Sequence, residues 1–330
     1  MEFGRVPLSQ ALGAILAHSQ QVADGRIRKG CTLDRGDIAR LAAAGISHPT
    51  VARLSPDDLG EDEAAARLAA ALVPDPDAAG LRLTAAATGR VNLLATVPGV
   101  LTLDAGAIHA LNRVDPAITL ATLPEFARVA PGTMAATVKL ITYAVPGELL
   151  ERACAAARGA LRVAPVRLGS AGLIVTDMGA GPGKGEAAVA MRLERLGMRL
   201  AETRIVPHDE APLAEALAAI AGDMVLVLTA SATSDARDVA PAALIAAGGR
   251  VDRFGIPVDP GNLLFLGALG GRPVIGLPGC ARSPALNGAD WVLERVACGI
   301  PPTEDAFAAM GVGGLLKESP ARPHPRARGR

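Results

Sequence analysis

The chain has 330 residues, half of them apolar and only 2% aromatic, and its 33 basic residues equal its 33 acidic ones. That length and apolar content suit a folded protein of two or three domains with real cores. Balanced, interspersed charge gives no reason to expect a nucleic-acid or membrane surface, so any ligand must be argued from local sites.

The N-terminal stretch MEFGRVPLSQALGAILAHS lacks a charged region followed by a long apolar one, and no apolar run reaches the roughly 18 residues of a membrane span. The expected location is the cytoplasm. From residue 1 to 72 the pattern predicts a helix from Leu8 to Ser19, a turn-rich DGRIRKGCTL, and a helix from Arg35 to Ala44 ended by Gly45. A short β run, HPTVARL, follows. SPDDLGEDEAAARLAAAL then opens another helix, with Ser55 or Asp58 as candidate caps and acids in its first turn. The Pro- and Asp-rich VPDPDAAG at 73–80 is a candidate boundary.

From 73 to 164 the reading is a smaller mixed domain, rich in short β runs: RVNLLATVPGVLTLDAG, PAITLATL and GTMAATVKLITYAVPG. The helix PGELLERACAAARGAL leads out of it. From 165 to 316 apolar strands alternate with amphipathic helices, the signature of a layered α/β domain with a mostly parallel sheet. GLIVTDM, MRLAETRIV and MVLVLT are each followed by a helix. A hairpin-like VDRFGIPVDPGNLLFLG comes next, and RPVIGLPG leads into SPALNGADWVLERVACG. The Arg- and Pro-rich segment 317–330 reads as disordered.

Cys31, Cys154, Cys280 and Cys298 lie far apart without a C-x-x-C pair, which argues against a zinc site or a disulfide framework and predicts buried, reduced thiols.

Three segments share one grammar of buried strand, loop of small residues and helix start: DMGAGPGKGE (177–186), TASATSDARD (229–238) and GLPGCARSP (276–284). If the strands are parallel, all three loops meet along the C-terminal edge of one sheet, where open α/β folds place ligands. Each loop carries one cation, Lys184, Arg237 or Arg282, and the first two also carry acids. Small residues let backbone N–H groups approach a ligand, and helix starts favour anions. A phosphorylated ligand with a divalent cation suits this mixture.

Plainer roles compete at the same positions. Asp238 before VAP and Asp209 in HDEAP are good helix N-caps, and Ser283 before Pro284 reads as a cap followed by Pro at the first helical position. Gly179, Gly181 and Gly183 do not have the G-x-x-x-x-G-K-[ST] spacing, and no G-x-G-x-x-G occurs, so Walker and dinucleotide fingerprints are rejected. Cys280 is either a thiol near a helix start or a structural one, and no His partner is evident. His208 titrates in the site or faces solvent on a loop.

The order of strand, small-residue loop ending in Asp, helix, hairpin with PG, strand, LPG and helix resembles the molybdopterin-binding domain of molybdopterin adenylyltransferases and molybdenum insertases. The family loop reads like S-G-G-x-S or G-G-T-G; here it is Ser231-Ala232-Thr233-Ser234, ending at Asp238. The LPG is Leu277-Pro278-Gly279, and the upstream acid matches Asp209. Within that superfamily the chain resembles a bacterial branch carrying PVDPGNLL, GLPGCARSP and MGVGGLL, present at 257–264, 276–284 and 310–316. The similarity extends through TGRVNLLA and TMAATVKLI. Members of this branch are often continued by a domain that attaches CMP or GMP to the cofactor; the sequence ends at Arg330 after PRARGR, so none is expected.

The resemblance implies a three-layer α/β domain preceded by smaller mixed α+β domains, and molybdopterin or its adenylylated form as the ligand. Its phosphate would lie across the three loops. Thr176, Asp177, Pro278, Gly279 and Ser283 would line the site, Ser231, Thr233 and Ser234 would donate hydrogen bonds, and Lys184, Arg237 and Arg282 would neutralise charge. Asp209 and Asp238 would hold Mg²⁺ and act in phosphoanhydride chemistry. The resemblance further implies a homodimer, and a molybdoenzyme or a separate nucleotidyltransferase as partner.

Two departures bear on function. The loop has Ala232 and Thr233 in place of the two glycines, and the hairpin has Asp259 and Asn262 where insertases carry lysines, which weakens a molybdate site. The expected activity is molybdenum insertion or cofactor transfer, a Mg-dependent transferase. The alternative is a non-catalytic carrier of the cofactor. A generic nucleotide-dependent enzyme comes last, since no motif supports an adenine site.

Overall fold

The strand Ser170–Asp177 (β1) has seven of its eight residues buried, as expected where both faces of a sheet are covered. In the computed structural model, which describes residues 1–179, 181 and 185–316, it lies inside a six-stranded sheet. The others are Arg199–Pro207 (β2), Met224–Leu228 (β3), Arg250–Phe254 (β4), Phe265–Leu269 (β5) and Arg272–Leu277 (β6). Their order is β2-β1-β3-β6-β5-β4. β1 runs parallel to β2 and β3, and β3 parallel to β6, while β5 and β4 close the far side antiparallel. The VDRFGIPVDPGNLLFLG segment thus forms the antiparallel pair β4 and β5, as its hairpin-like pattern predicts.

Alternate residues of the central strands serve two cores. Leu173, Val175, Leu226, Leu228, Ile275 and Leu277 pack with helices Gly185–Glu194 (α1) and Gly288–Ala297 (α4). Ile174, Val225, Val227 and Val274 pack with Glu210–Ala219 (α2) and Val239–Ala246 (α3). The result is three layers, helix on sheet on helix. At the β5–β6 pair Phe265 lies opposite Gly276, and a Cβ on Gly276 would meet the Phe265 ring at 1.9 Å. Only glycine lets that ring lie flat over the strand.

The chain divides into two units, Met1–Val97 with Leu101–Ala164, and Pro98–Val100 with the chain from Pro165 onward. The first unit is built on short, mainly antiparallel sheets. Glu2–Arg5 and Ile15–Leu16 flank Thr50–Arg53, around a core that includes Leu16, Leu33, Leu41 and Val51. Ile118–Thr122, Met134–Leu140, Arg90–Ala95 and Leu81–Leu83 form a four-stranded sheet whose apolar face packs with Glu61–Leu72 and Gly147–Ala156. The TGR of TGRVNLLA is its two-residue hairpin: Thr88 (φ 51) and Gly89 (φ 68) join Ala87 to Arg90. The alternating residues of Arg90–Ala95 and Met134–Leu140 are the β signal the sequence carries.

Four expectations change. Leu8–Ser19 is no α-helix: one 3₁₀ turn, Leu8–Gln10, gives way at Gly13 (φ 76) to the strand Ile15–Leu16. Ala11 and Ala14 reach the core from this turn. The helix after SPDDL begins at Glu61 with Gly60 as its cap, because Asp58–Gly60 is a strand paired with the distant Ala144–Pro146. The DAG after VLTL opens a helix, Ala105–Asn112, capped by Asp104, where short β runs were expected. Cys154 and Cys298 are buried, but Cys31 and Cys280 are only partly so; all four are free thiols. Burial raises the Cys298 thiol to about 11. Among the described residues no helix is long and apolar enough to cross a membrane.

Candidate functional site at the C-terminal edge of the sheet

Because β1, β3 and β6 are parallel neighbours, the loops that follow them leave from one edge of the sheet. This is the edge where dipoles of following helices and exposed backbone amides collect. The structure ties these strand ends together with specific hydrogen bonds.

Thr176, 1% exposed at the end of β1, is the first tie. Its Oγ1 accepts the Ala230 amide at 2.8 Å and shares a hydrogen bond with His208 Nδ1 at 2.9 Å. His208 also donates its amide to the Asp177 carbonyl at 2.9 Å. One hydroxyl therefore links the ends of β1, β2 and β3. Asp177 Oδ1 accepts the Gly181 amide at 3.0 Å. Lys184, the cation expected from this loop, lies outside the described residues.

The TASATSDARD loop is built from its own side chains. Thr229 Oγ1 donates to the Ser231 carbonyl at 2.6 Å, and Ser234 Oγ to the Ala232 carbonyl at 3.3 Å. Ser231 and Ser234 are exposed, while Thr233 is buried. Asp238 caps α3: Oδ1 accepts the Val239 amide at 2.8 Å and Oδ2 the Ser234 amide at 3.1 Å. Both its oxygens are thus engaged with backbone. Arg237 points into solvent and forks onto Asp235, with Nε 2.9 Å from Oδ1. The Arg237 side chain, with its backbone amide, holds the Asp235 carboxyl down at about 2. Asp209 caps α2 through Oδ1, which accepts the Ala211 amide at 3.3 Å.

The third loop supplies the second tie. After the buried Pro278, the exposed Gly279 opens a 3₁₀ turn, Gly279–Arg282. Arg282 Nη2 donates to the Thr229 carbonyl at 3.0 Å, joining the loop after β6 to the loop after β3. A Cβ on Gly185, at the start of α1, would meet Leu228 Cδ2 at 2.3 Å and Arg282 Cγ and Nη1 at 3.3 Å, so a glycine there leaves room for that side chain. Ser283 does not cap a helix. The helix starts five residues later, at Gly288, with Asn287 and Asp290 forming a reciprocal capping box. The intervening residues are held by tertiary bonds that local pattern does not show.

Those bonds come from a residue the sequence reading missed. Arg192 of α1 is buried and paired with buried Asp290, Nε to Oδ1 at 2.6 Å. The readable signal was its place among Ala188, Val189 and Leu193 on the apolar face of α1. The PVDPGN and MGVGGLL motifs also meet: the Asp259 amide donates to the Gly314 carbonyl at 2.8 Å, the Leu316 amide to Asp259 at 2.8 Å, and the Gly288 amide to Pro260 at 2.8 Å. Among the described residues no group of three or more His, Cys, Asp or Glu side chains is placed to hold a metal ion.

Chemically, the edge offers an anion exposed hydroxyls, loop backbone of small residues and the Arg282 guanidinium. Asp209 and Asp238 are occupied in helix caps and Asp235 in its pair with Arg237.

Known proteins give the following comparisons. Residues 5–53 match a family described as a domain of unknown function. No curated protein gives a significant match. Among solved structures, the molybdopterin biosynthesis moea protein from Pyrococcus horikosii is 14% identical with a TM-score of 0.30, the match covering 94% of this chain and 77% of that one. The molybdopterin biosynthesis enzyme MoaB from Thermus thermophilus is 16% identical with a TM-score of 0.28, covering 45% of this chain and 99% of the other. A MogA structure is 23% identical with a TM-score of 0.25, covering 44% and 96%. Residues 176–296, which hold Thr176, Arg282 and all three strand-end loops, match the family described as probable molybdopterin binding domain. Over those residues the chain is thus similar to a probable molybdopterin binding domain.

Proposed function

We propose that the protein binds molybdopterin, or its adenylylated form, with the phosphate held across the loops after β1, β3 and β6. The observation that carries this reading is the Arg282–Thr229 hydrogen bond inside the matched segment, which sets a guanidinium between two of those loops. Arg binds phosphate with a planar fork of donors. Ser231 and Ser234, in the same loop as Thr229, are exposed, and Gly279 opens the Arg282 loop without a side chain. Thr176, Asp177 and Thr233 shape the edge, while Pro278 and Ser283 set the backbone on either side of the 3₁₀ turn.

Two roles follow from binding: insertion of molybdenum or transfer of the cofactor, and carriage of the cofactor to a molybdoenzyme or a separate nucleotidyltransferase. The engagement of both Asp238 oxygens with backbone amides favours carriage. Mg²⁺ takes near-octahedral oxygen ligands, and two helix-capping carboxylates do not make that set. No chemical step is therefore assigned to a metal at Asp209 and Asp238. Asp259 in place of a hairpin cation likewise favours a site without molybdate.

The test is pterin content. Protein purified from cofactor-competent cells is oxidised and assayed for the fluorescent pterin derivative, with Arg237→Ala plus Arg282→Ala as control. Stoichiometric pterin in the wild type, lost in the control, supports binding. Absence of pterin after incubation with excess free molybdopterin overturns it. Mg²⁺- and molybdate-dependent turnover of the bound pterin would replace carriage by insertion.

A further inference from the structure

Arg192 uses all five of its N–H bonds. Nε donates to Asp290 Oδ1 at 2.6 Å, Nη1 to the carbonyls of Ala188 at 3.1 Å and Ala281 at 2.9 Å, and Nη2 to those of Ser283 at 2.8 Å and Ala285 at 3.1 Å. Arg192 is 4% exposed, and Asp290 returns its other oxygen to the Asn287 amide at 2.8 Å. Stability alone does not call for such an arrangement: a buried ion pair is often matched by apolar residues of similar size. Its geometry has a more specific consequence. Ala281 and Ser283 are the two neighbours of Arg282, and both their carbonyls are fixed by the same guanidinium.

We propose that Arg192 is a positioning residue for Arg282. By pinning the backbone on both sides, it aims the Arg282 guanidinium across the sheet edge toward Thr229 and so sets the affinity for a phosphate monoester or anhydride that Arg192 itself never touches. The inference rests on the phosphate-binding reading above. Ordering a long side chain before binding removes an entropy cost that would otherwise be met on association. Lysine cannot substitute, because its three donors radiate from one point and cannot reach four carbonyls and a carboxylate in a plane.

The test is a double-mutant cycle on molybdopterin affinity, with Arg192→Lys, Arg282→Ala and their combination, beside amide exchange of residues 279–287. If Arg192 acts through Arg282, Arg192→Lys weakens binding about tenfold alone and less than about twofold when Arg282 is already alanine. Exchange in 279–287 rises while that of β1 and β3 stays as in the wild type. An equal loss in both backgrounds, or no loss in either, overturns the proposal. Unchanged exchange overturns the clamp itself. If Arg192→Lys does not fold, Arg192→Met combined with Asp290→Asn, which removes the carbonyl bonds without leaving a buried charge, is read in the same cycle. Wild-type protein that takes up no pterin overturns the proposed function and the ligand role of Arg282, while the exchange arm still judges whether Arg192 fixes the backbone.

Discussion

The Thr176 hydroxyl lies 2.9 Å from His208 Nδ1 and accepts the Ala230 amide at 2.8 Å, so one buried oxygen holds three strand ends in register. Thr176→Val keeps the shape and leaves both partners without it. An unmet buried hydrogen bond costs about 1–3 kcal/mol. We expect a lower urea midpoint at unchanged slope, with Thr176→Ser losing less. Equal stability of the valine variant would show that the tie contributes nothing.

Asp238 is expected to behave as a cap. Asp238→Ala removes the acceptor for the Val239 and Ser234 amides and should cost about 1 kcal/mol, whereas Asp238→Asn keeps one carbonyl oxygen and most of the stability. Thermal melts and bound pterin are measured together. Turnover lost in Asp238→Asn at an unchanged melting temperature would mark a metal or catalytic role instead.

Asp235 gives a pH signature. Its carboxyl is held at about 2 instead of the ordinary 3.8, chiefly by hydrogen bonds from the Arg237 side chain. A depressed carboxylate contributes its stabilisation above the ordinary value and loses it as pH falls through the folded one. The window here runs from 3.8 down to about 2. The pair is exposed and screened by solvent, so the melting temperature should hardly respond. An NMR titration of the Asp235 carboxyl carbon should show the low midpoint, and Arg237→Ala should return it toward 3.8.

Gly276→Ala forces a Cβ into the Phe265 ring. Overpacking of a filled core costs about 1–3 kcal/mol, and a 1.9 Å approach to a ring buried between strand and helix belongs at the upper end or beyond. Phe265→Leu in the same chain should restore part of the loss. A Gly276→Ala protein that melts with the wild type would mean that the ring has room to move.

The sequence alone determined the alternation of strand and helix after residue 165, because buried parallel strands such as MVLVL are apolar throughout and helices such as Glu210–Ala219 announce themselves with a capping acid. It also located the three loops, since small residues between a buried strand and a helix start are a local pattern. Tertiary structure decided what lies between distant segments. Leu8–Ser19 reads as helical until Gly13 turns it into the sheet, Asp58–Gly60 becomes a strand only because Ala144–Pro146 lies beside it, and Ser283 loses its cap to Asn287. Arg282 is legible in sequence as the cation of its loop. Its aim comes from the Thr229 carbonyl and from the carbonyls that Arg192 holds, 89 and 91 residues away. Propensity and periodicity act over a few residues, whereas a buried guanidinium must find its acceptors wherever the fold brings them.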